Sequence, residues 1–509
     1  MADLTVRGKA DKLWRILTVC WLITVFTSFF NSYFLSVSLP IVGTIFPFRI
    51  MLPVTAVLYL IWVIKNREPV WRGTSALEKW CYVLIIILLT YGVVSLFRAL
   101  DLAWTFRRLF NLCFDLCFFF LMLRLCRNKQ LLKATLMVCL VMLAVISLLG
   151  IYEVFFGGIV NPAYDNFKRL YVLNGLYQYP IVFSGNTNDY ATTLIFLFVV
   201  LLLALLWKGH EIRKRDYAWI VLMGTAVYFL ALAGNSRLCE VCFFLLVVGI
   251  FLYFLLCQKR RILVSLLLIL GILSVEFIVQ YHYIVPPIQQ YFAEVREYQT
   301  EESDQMEGVS TDDMTSERTE DERQAPTLVL GDQDKQTLEE EFFKTDETTG
   351  EKTLRDEGSA GIRAHLLIHA LNCFQESYGL GVGLGNTETL AARRGVVPQW
   401  VDEPQNSIHC FLARLVADYG IFVLIPLCVI AFLLLKRTFQ MIRKGIRLRD
   451  RNSIAYAVLF FCCLVIYPVL STASSDAQDI ISMWIYLAAV VLFANSLPRN
   501  RFGKEVENA

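Results

Sequence analysis

Apolar residues along this chain come in runs of about 20, separated by short polar stretches, and not in the two-residue alternation of a half-buried strand. A run of that length is what a helix needs to cross ~30 Å of hydrocarbon. About twelve are readable, near residues 16–36, 42–64, 80–97, 109–125, 132–156, 189–207, 217–235, 238–257, 262–283, 408–435, 453–471 and 478–496. They are too long for barrel strands, and a helix satisfies its own backbone hydrogen bonds in lipid. The expected fold class is therefore all-α, a polytopic transmembrane helix bundle.

The basic residues sort the connections into two sets. Lys65, Arg67, Arg72 and Lys79 fall after the second run, and Arg124, Arg127, Lys129 and Lys133 after the fourth. Lys208, Arg213, Lys214 and Arg215 follow the sixth, and Lys259, Arg260 and Arg261 the eighth. Lys436, Arg437, Arg443, Lys444, Arg447, Arg449 and Arg451 follow the tenth, and Arg499, Arg501 and Lys504 close the chain. Every second connection is basic, which by the positive-inside rule predicts both termini in the cytoplasm.

The connections on the other side are different. One covers 157–188 and is rich in Tyr, Asn and Gly. The largest, before the tenth run, is strongly acidic and poor in aliphatics over about 294–357, a composition that predicts a flexible insert. Beyond it, Ile362, Leu366, Ile368, Leu371 and Phe374 repeat with helical spacing, and Ser359 is placed to cap them. A short extracytoplasmic helix over about 360–377 is expected. The organisation that follows is 1–283 (nine spans), 284–407 (one large extracytoplasmic loop) and 408–509 (three spans and a tail).

Composition agrees with this class: 56% of residues are hydrophobic and the mean hydropathy is +0.54. The net charge of +2 carries no sign of a nucleic-acid partner, and none is expected. Most of the 14 cysteines lie inside apolar runs, where they act as small apolar residues and not as a disulfide framework. The first run follows Arg7, Lys9, Lys12 and Arg15 and lacks a small-residue cleavage site, so it reads as an anchor.

Charge at membrane depth marks the first candidates for chemistry. Arg237, in AGNSRLCE, falls where the seventh run meets the eighth. A guanidinium there calls for a polar cavity or a partner, and Glu240 stands at i+3. Arg98, Arg107 and Arg108 flank a connection that should be depleted in basic residues. They suit either an anionic lipid-linked ligand or phospholipid headgroups. Arg363 lies on the expected loop helix, and a guanidinium fork suits phosphate.

His365 and His369 have a metal-ligand spacing, but no third ligand accompanies them and no metal site is expected. The stretch YGLGVGLGN superficially has the look of a dinucleotide loop. No strand precedes it, so it reads as a tight turn returning the chain to the membrane. His409 opens the tenth run, and an imidazole titrating near neutrality can take a proton from a hydroxyl.

Three segments, in order, resemble the O-antigen ligase and O-antigen polymerase family of bacterial membrane glycosyltransferases. SGNTNDYATTLIF, which holds Asn188, resembles that family's Asn-rich entry to a middle helix. AGNSRLCEVCFFLL resembles its Ser-Arg step at a helix start. IRAHLLIHALNCFQESYGLGVGLGN followed by HCFLARLVADYGIFVLI resembles its Arg, glycine turn, His and later Gly, with Gly420 eleven residues after His409. The family's Asn after the histidine is Cys410 here, and Asn406 lies three residues before His409.

The resemblance implies a GT-C-like enzyme of the cytoplasmic membrane with its active site on the outer face. It would use a glycan on undecaprenyl pyrophosphate as donor and a glycan or lipid-linked glycan as acceptor. It implies inversion without metal or cofactor. Arg237 and Arg363 would bind pyrophosphate, and His409 would orient or deprotonate the acceptor. Arg98, Arg107, Arg108, Asn188 and Asn406 are further candidates for substrate contact. A polysaccharide flippase or other transporter is the alternative, with Asp115 and Glu276 as its candidate coupling carboxylates.

Overall fold

The computed structural model of the protein describes residues 12–30, 36–39, 43–67, 69, 73–156, 180–184, 186–206, 213–234, 236–257, 262–278, 343–345, 352–354, 359–394, 396, 410–473 and 480–496. Helices carry the first half of the chain: α1 Lys12–Thr27, α2 Pro47–Asn66, α3 Ala76–Ser95, α4 Leu102–Leu125, α5 Lys129–Phe156, α6 Thr187–Leu206, α7 Lys214–Ala233, α8 Arg237–Cys257 and α9 Ile262–Ile278. The second half has α10 Ser359–Glu376, α11 Asn386–Arg393, α12 Phe411–Tyr419, α13 Ile421–Leu448, α14 Arg451–Leu470 and α15 Ile481–Ser496. A 3₁₀ turn over Leu96–Arg98 and two antiparallel pairs of three-residue strands complete the described elements. The pairs are β1 Val37–Leu39 with β2 Gly43–Ile45, and β3 Phe343–Thr345 with β4 Lys352–Leu354. Apart from β3 and β4, the acidic insert lies outside the described residues.

Eight of the described helices are long and apolar enough to cross a membrane: α2, α3, α5, α6, α7, α8, α13 and α14. The protein is a multi-pass membrane protein. The helices α9 and α15 are apolar but shorter. Apolar side chains on the outside of the bundle, such as Ile50, Val54, Val57 and Ile61 of α2, form the stripe a lipid-facing helix presents. Where the chain must turn, it caps. Ser75 Oγ accepts the Glu78 N–H at 3.2 Å and Glu78 Oε2 accepts the Ser75 N–H at 2.8 Å, a reciprocal pair that starts α3.

Polar contacts join the apolar helices. Trp21 Nε1 donates to Thr135 Oγ1 at 3.0 Å, tying α1 to α5, and the Thr24 and Thr55 hydroxyls meet at 2.7 Å between α1 and α2. The most enclosed of the eight long apolar helices is α6, which packs between α5, α7 and α15. Helix α8 lies along α14, where a Cβ on Gly249 would stand 3.0 Å from Cys462 Cβ.

Two expected spans differ in the structure. The first helix ends at Thr27 and turns over 28–30 instead of continuing to 36. The run 408–435 is not one helix. It breaks at Gly420, whose φ of 63° and ψ of −146° belong to a region that side chains with a Cβ avoid. The break separates α12, which carries buried Arg414 and Asp418, from the apolar α13. Burying two charges on the first nine residues is incompatible with a lipid-facing span, so the long apolar helix starts only at Ile421.

Candidate functional site

Two clusters of polar residues are built at the end of the bundle where α3 meets α4. The first is a clasp. Helix α10 ends at Glu376, and the chain then passes through Gly379, Gly381, Gly383 and Gly385, all with positive φ. It lies directly on the backbone that joins α12 to α13. The Val382 N–H donates to Ala417 O at 3.0 Å, Gly383 N–H to Asp418 O at 2.9 Å, and Ile421 N–H to Gly379 O at 2.8 Å. A Cβ on Gly381 would sit 2.5 Å from Asp418 O. The glycine segment, expected as a simple turn, is therefore a backbone-to-backbone contact that a side chain would prevent.

The same segment closes on the α3–α4 corner. Tyr91 Oη donates to Leu380 O at 2.8 Å, and the Leu384 N–H donates to Ser95 Oγ at 3.0 Å. Asn386 Nδ2 donates to Arg98 O at 3.0 Å, and Asn386 Oδ1 accepts the Leu100 N–H at 3.0 Å. Beneath these lies Glu388 on α11, 2% exposed. Arg108 of α4 grips it with Nε to Oε2 at 3.0 Å and Nη2 to Oε1 at 2.7 Å. Arg414 Nη1 reaches Oε1 at 3.2 Å, and Trp104 Nε1 reaches Oε2 at 2.9 Å. The Arg108 guanidinium also stands 4.6 Å from the Trp104 ring centroid.

Asp418 completes the clasp. Its carboxylate accepts the Thr387 hydroxyl at 2.5 Å and faces the Gly385 and Thr387 N–H groups at 3.4 Å, at the start of α11. Burial raises this carboxyl to about 6. The Thr387 hydrogen bond and Arg414 work against the rise, and Glu388 adds to it. On α10, His369 Nε2 is 3.0 Å from Thr387 O, so that nitrogen carries the proton and donates. Burial lowers this imidazole below its ordinary value. Cys373 Sγ lies 3.4 Å from the same nitrogen. His365, one turn earlier on α10, is exposed. No group of three metal-binding side chains occurs among the described residues.

The clasp also sets the direction of α10. Its C-terminal end meets the C-terminal end of α12 through Gly379 and Ile421, and Ala370, Cys373 and Ala417 pack together along the pair. The two helices therefore run side by side, with their N-terminal ends at the same side. Arg363 lies in the first turns of α10, and Cys410 immediately precedes α12.

The second cluster is made of helix starts. Cys410 lies within electrostatic reach of Tyr467 on α14, and Phe411 packs edge-on against Trp484 of α15 at 6.1 Å. Tyr467 stacks on Tyr486 of α15 at 5.8 Å and meets Phe196 of α6 at 6.2 Å. A Cβ on Gly234, just before α8, would lie 3.5 Å from Thr187 Cβ at the start of α6. The starts of α6, α8, α12 and α15 thus gather around the end of α14. Arg237 is the first residue of α8 and is exposed. Glu240, one turn on, lies within reach of Arg237 and of Glu276 on α9, and Tyr228 hydrogen-bonds Glu276.

The residues singled out by sequence fall in different places. Arg237 stands in the second cluster, and Asn188 is half-buried in the first turn of α6. Arg108 is built into the clasp, while Arg98 and Arg107 are exposed around it. Asp115 is enclosed on α4, on the flank that carries Arg108. His409 and Asn406 lie outside the described residues, as does the side chain of Arg363. Sequence reading passed over Glu388, Arg414, Asp418 and Trp104. The signal for two of them was present: Arg414 and Asp418 are charges at i and i+4 in a run read as membrane-spanning, the same warning that drew attention to Arg237.

No family model matches the chain. Over 142 residues it is 27% identical to the teichuronic acid biosynthesis protein TuaE of Bacillus subtilis (strain 168). The aligned stretch covers 27% of this chain and 27% of that protein, so the likeness spans about a quarter of the relative it matches.

Proposed function

We propose that this membrane protein works in polysaccharide biosynthesis, as a glycosyltransferase of the O-antigen ligase and polymerase type. Its donor is a glycan on undecaprenyl pyrophosphate, and its acceptor is a hydroxyl of another glycan, so that surface polysaccharide grows by repeat units. Ligation of a finished glycan to a final acceptor is the same chemistry with a different acceptor. The similarity to a teichuronic acid biosynthesis protein supports the pathway class. The observation that carries the reading is the gathering of helix starts around α14. Arg237 opens α8, which packs on α14, and Cys410, next to His409, lies within electrostatic reach of Tyr467 on α14; this supports Arg237 and His409 serving one site. The parallel packing of α10 on α12 supports Arg363 joining from the loop side.

In this reading the gathered ends face the outside of the cell and both termini the cytoplasm, as the basic connections suggest. The acceptor oxygen attacks the anomeric carbon as the bond from that carbon to the pyrophosphate oxygen breaks. The hydroxyl proton passes to His409, and the electron pair leaves with the lipid pyrophosphate. Single displacement inverts the anomeric centre. Arg237 and Arg363 stabilise charge developing on the leaving oxygen, where preorganised donors act most strongly. The test is incubation of the purified protein with lipid-linked repeat units. Wild type should produce longer glycans, and Arg237→Ala, Arg363→Ala and His409→Ala should lose them. Full activity in all three variants refutes the reading.

The grouping of Glu240 and Glu276 with Arg237 and Tyr228 favours a second reading, ion-coupled movement of a lipid-linked glycan. It predicts transfer of lipid-linked units across a vesicle wall, stopped by Glu276→Gln, with no chain growth.

A further inference from the structure

We propose that α10 is a lipid-contacting helix: the flank formed by Leu367, Ile368 and Leu371 lies among the acyl chains of the leaflet at the clasp end of the bundle. The inference is independent of the glycosyltransferase reading, because it concerns what covers this helix and not what the protein transfers.

The exposed face of α10 has two unlike flanks. Leu366, His369, Ala370 and Cys373 are buried against the protein. Leu367 and Leu371 stand one turn apart with Ile368 beside them, and these three are 40%, 51% and 55% exposed. His365, Asn372 and Glu376 recur at helical spacing as a separate exposed stripe. A helix surrounded by water shows polar residues on both exposed flanks. One apolar and one polar flank is the pattern of a helix at a boundary between lipid and water.

The contacts of α12 place α10 at membrane depth. Phe411, at the start of α12, packs on Trp484 at 6.1 Å, and Trp484 packs on Phe119 of α4 at 5.7 Å. Phe119 is about 25 Å along α4 from Leu102. At the other end of α12, Tyr419 packs on Tyr91 of α3 at 5.3 Å. So α12 stands among the spans and not above them. Helix α10 runs beside it, with Ala370 and Cys373 clustered on Ala417 and bordered by Ala413. Apolar side chains left exposed at that depth meet hydrocarbon.

The apolar flank also runs into a surface that faces lipid. Phe374, three residues after Leu371 on the same side, covers Gly379, where a Cβ would lie 3.4 Å from the Phe374 ring. Gly379 O accepts the Ile421 N–H at 2.8 Å. Tyr91, which donates to Leu380 O at 2.8 Å, packs on Phe422 at 5.7 Å. Ile421, Phe422 and Ile425 are exposed on the long apolar α13, and Leu380 is exposed beside them. Tyr378 supplies an anchor. It is 94% exposed with a φ of 52°, just past the helix end, where glycine is usual. A tyrosine kept there suits the boundary of a bilayer, with its ring immersed and its hydroxyl wet. The acidic insert of this chain is a poor cover for the flank, since 294–357 is poor in aliphatics. Lipid then helps to hold α10, the helix that carries Arg363, against α12.

Photocrosslinking identifies what covers the flank. In the full-length protein Ile368 is replaced by p-benzoylphenylalanine, and in a second variant Asn372, on the polar flank, is replaced in the same way. Both are reconstituted in phosphatidylcholine vesicles, irradiated and mapped by mass spectrometry. Position 368 should carry adducts of phospholipid mass, and position 372 should carry few or none. Equal adducts at the two positions, or none at 368, overturn the proposal. So does a crosslink from 368 to another segment of this chain, or to a second copy. A variant with Leu367→Ser, Ile368→Ser and Leu371→Ser adds a measure of strength, and none of the three side chains takes part in the hydrogen bonds of the clasp. Its amides over 366–376 should exchange hydrogen at least tenfold faster than wild type in the same vesicles, with α3 unchanged. Exchange within twofold of wild type overturns the proposal, because the flank then holds nothing. The crosslinking result stands by itself if this variant fails to accumulate.

Discussion

The clasp around Glu388 and the helix starts around Arg237 lie at the same end of one bundle, and they use charge in opposite ways. In the clasp each carboxylate is met by several donors: Glu388 by Arg108, Arg414 and Trp104, and Asp418 by Thr387 and the start of α11. At the helix starts, by contrast, Arg237 is exposed. Donors already matched by the protein hold a shape, whereas donors left over are available to a ligand. On this comparison the clasp is scaffold, and the second cluster is where chemistry is expected.

The largest effect that could break the comparison comes from Glu388. Glu388→Ala removes the carboxylate shared by two buried guanidinium groups, and losing one partner of a buried ion network costs about 3–5 kcal/mol. The variant should unfold earlier on heating or fail to accumulate in the membrane. Arg237→Ala should change stability by no more than about 0.5 kcal/mol, as an exposed side chain does, while glycan growth is lost. A stable Glu388→Ala, or an Arg237→Ala that fails by misfolding, would reverse the assignment of scaffold and site. Melting curves in detergent beside a glycan ladder separate the outcomes.

Next in size is the backbone contact itself. Gly381→Ala places a Cβ 2.5 Å from Asp418 O at a φ of 89°. Strain of that kind costs about 1–3 kcal/mol before any displacement of α12 is counted. The change should lower the melting temperature and also reduce activity, because α12 leads back to His409. Gly73→Ala, at a φ of 69° with nothing within 4 Å, tests the strain without the collision and should cost less.

How far such a structure is legible in its sequence depends on how local the cause is. Runs of apolar residues report helices because the helix closes its own hydrogen bonds, and the spans expected near 42–64, 132–156 and 189–207 have their counterparts in α2, α5 and α6, although α2 begins only at Pro47. A helix was expected over about 360–377, and α10 runs Ser359–Glu376 for the same reason of spacing. The break at Gly420 was not read, because an apolar run with one glycine looks continuous until the tertiary contact that needs the glycine is known. The pairing of Arg108 with Glu388 joins residues 280 apart, and no periodicity announces it. For that reason Arg108 read as a candidate for substrate contact, although its guanidinium is engaged inside the protein.

The smallest of these effects, and the most discriminating within the clasp, is its dependence on pH. Asp418 is raised to about 6, above the ordinary carboxylate value of about 3.9, chiefly by burial. The folded state therefore prefers the protonated acid. This contribution to stability is fully present below about pH 4, falls away as pH rises towards 6, and is constant above that. Asp418→Asn keeps an oxygen to accept the Thr387 hydroxyl and removes the titration. Its loss of stability relative to wild type should be larger at pH 4.5 than at pH 7.5. His369 has the opposite sign. Its imidazole is held neutral by burial, so its contribution is present above about pH 6.5 and lost as pH falls through the lowered folded value. His369→Gln should therefore be most costly at neutral pH and approach wild type in acid. If both variants track wild type at every pH, these side chains are solvated and the clasp is not a closed unit. If the two differences run in opposite directions, the same residue, Thr387, is held from α12 by a carboxyl at its hydroxyl and N–H and from α10 by an imidazole at its carbonyl. The clasp would then be sealed from water on both flanks, unlike the helix starts beside it.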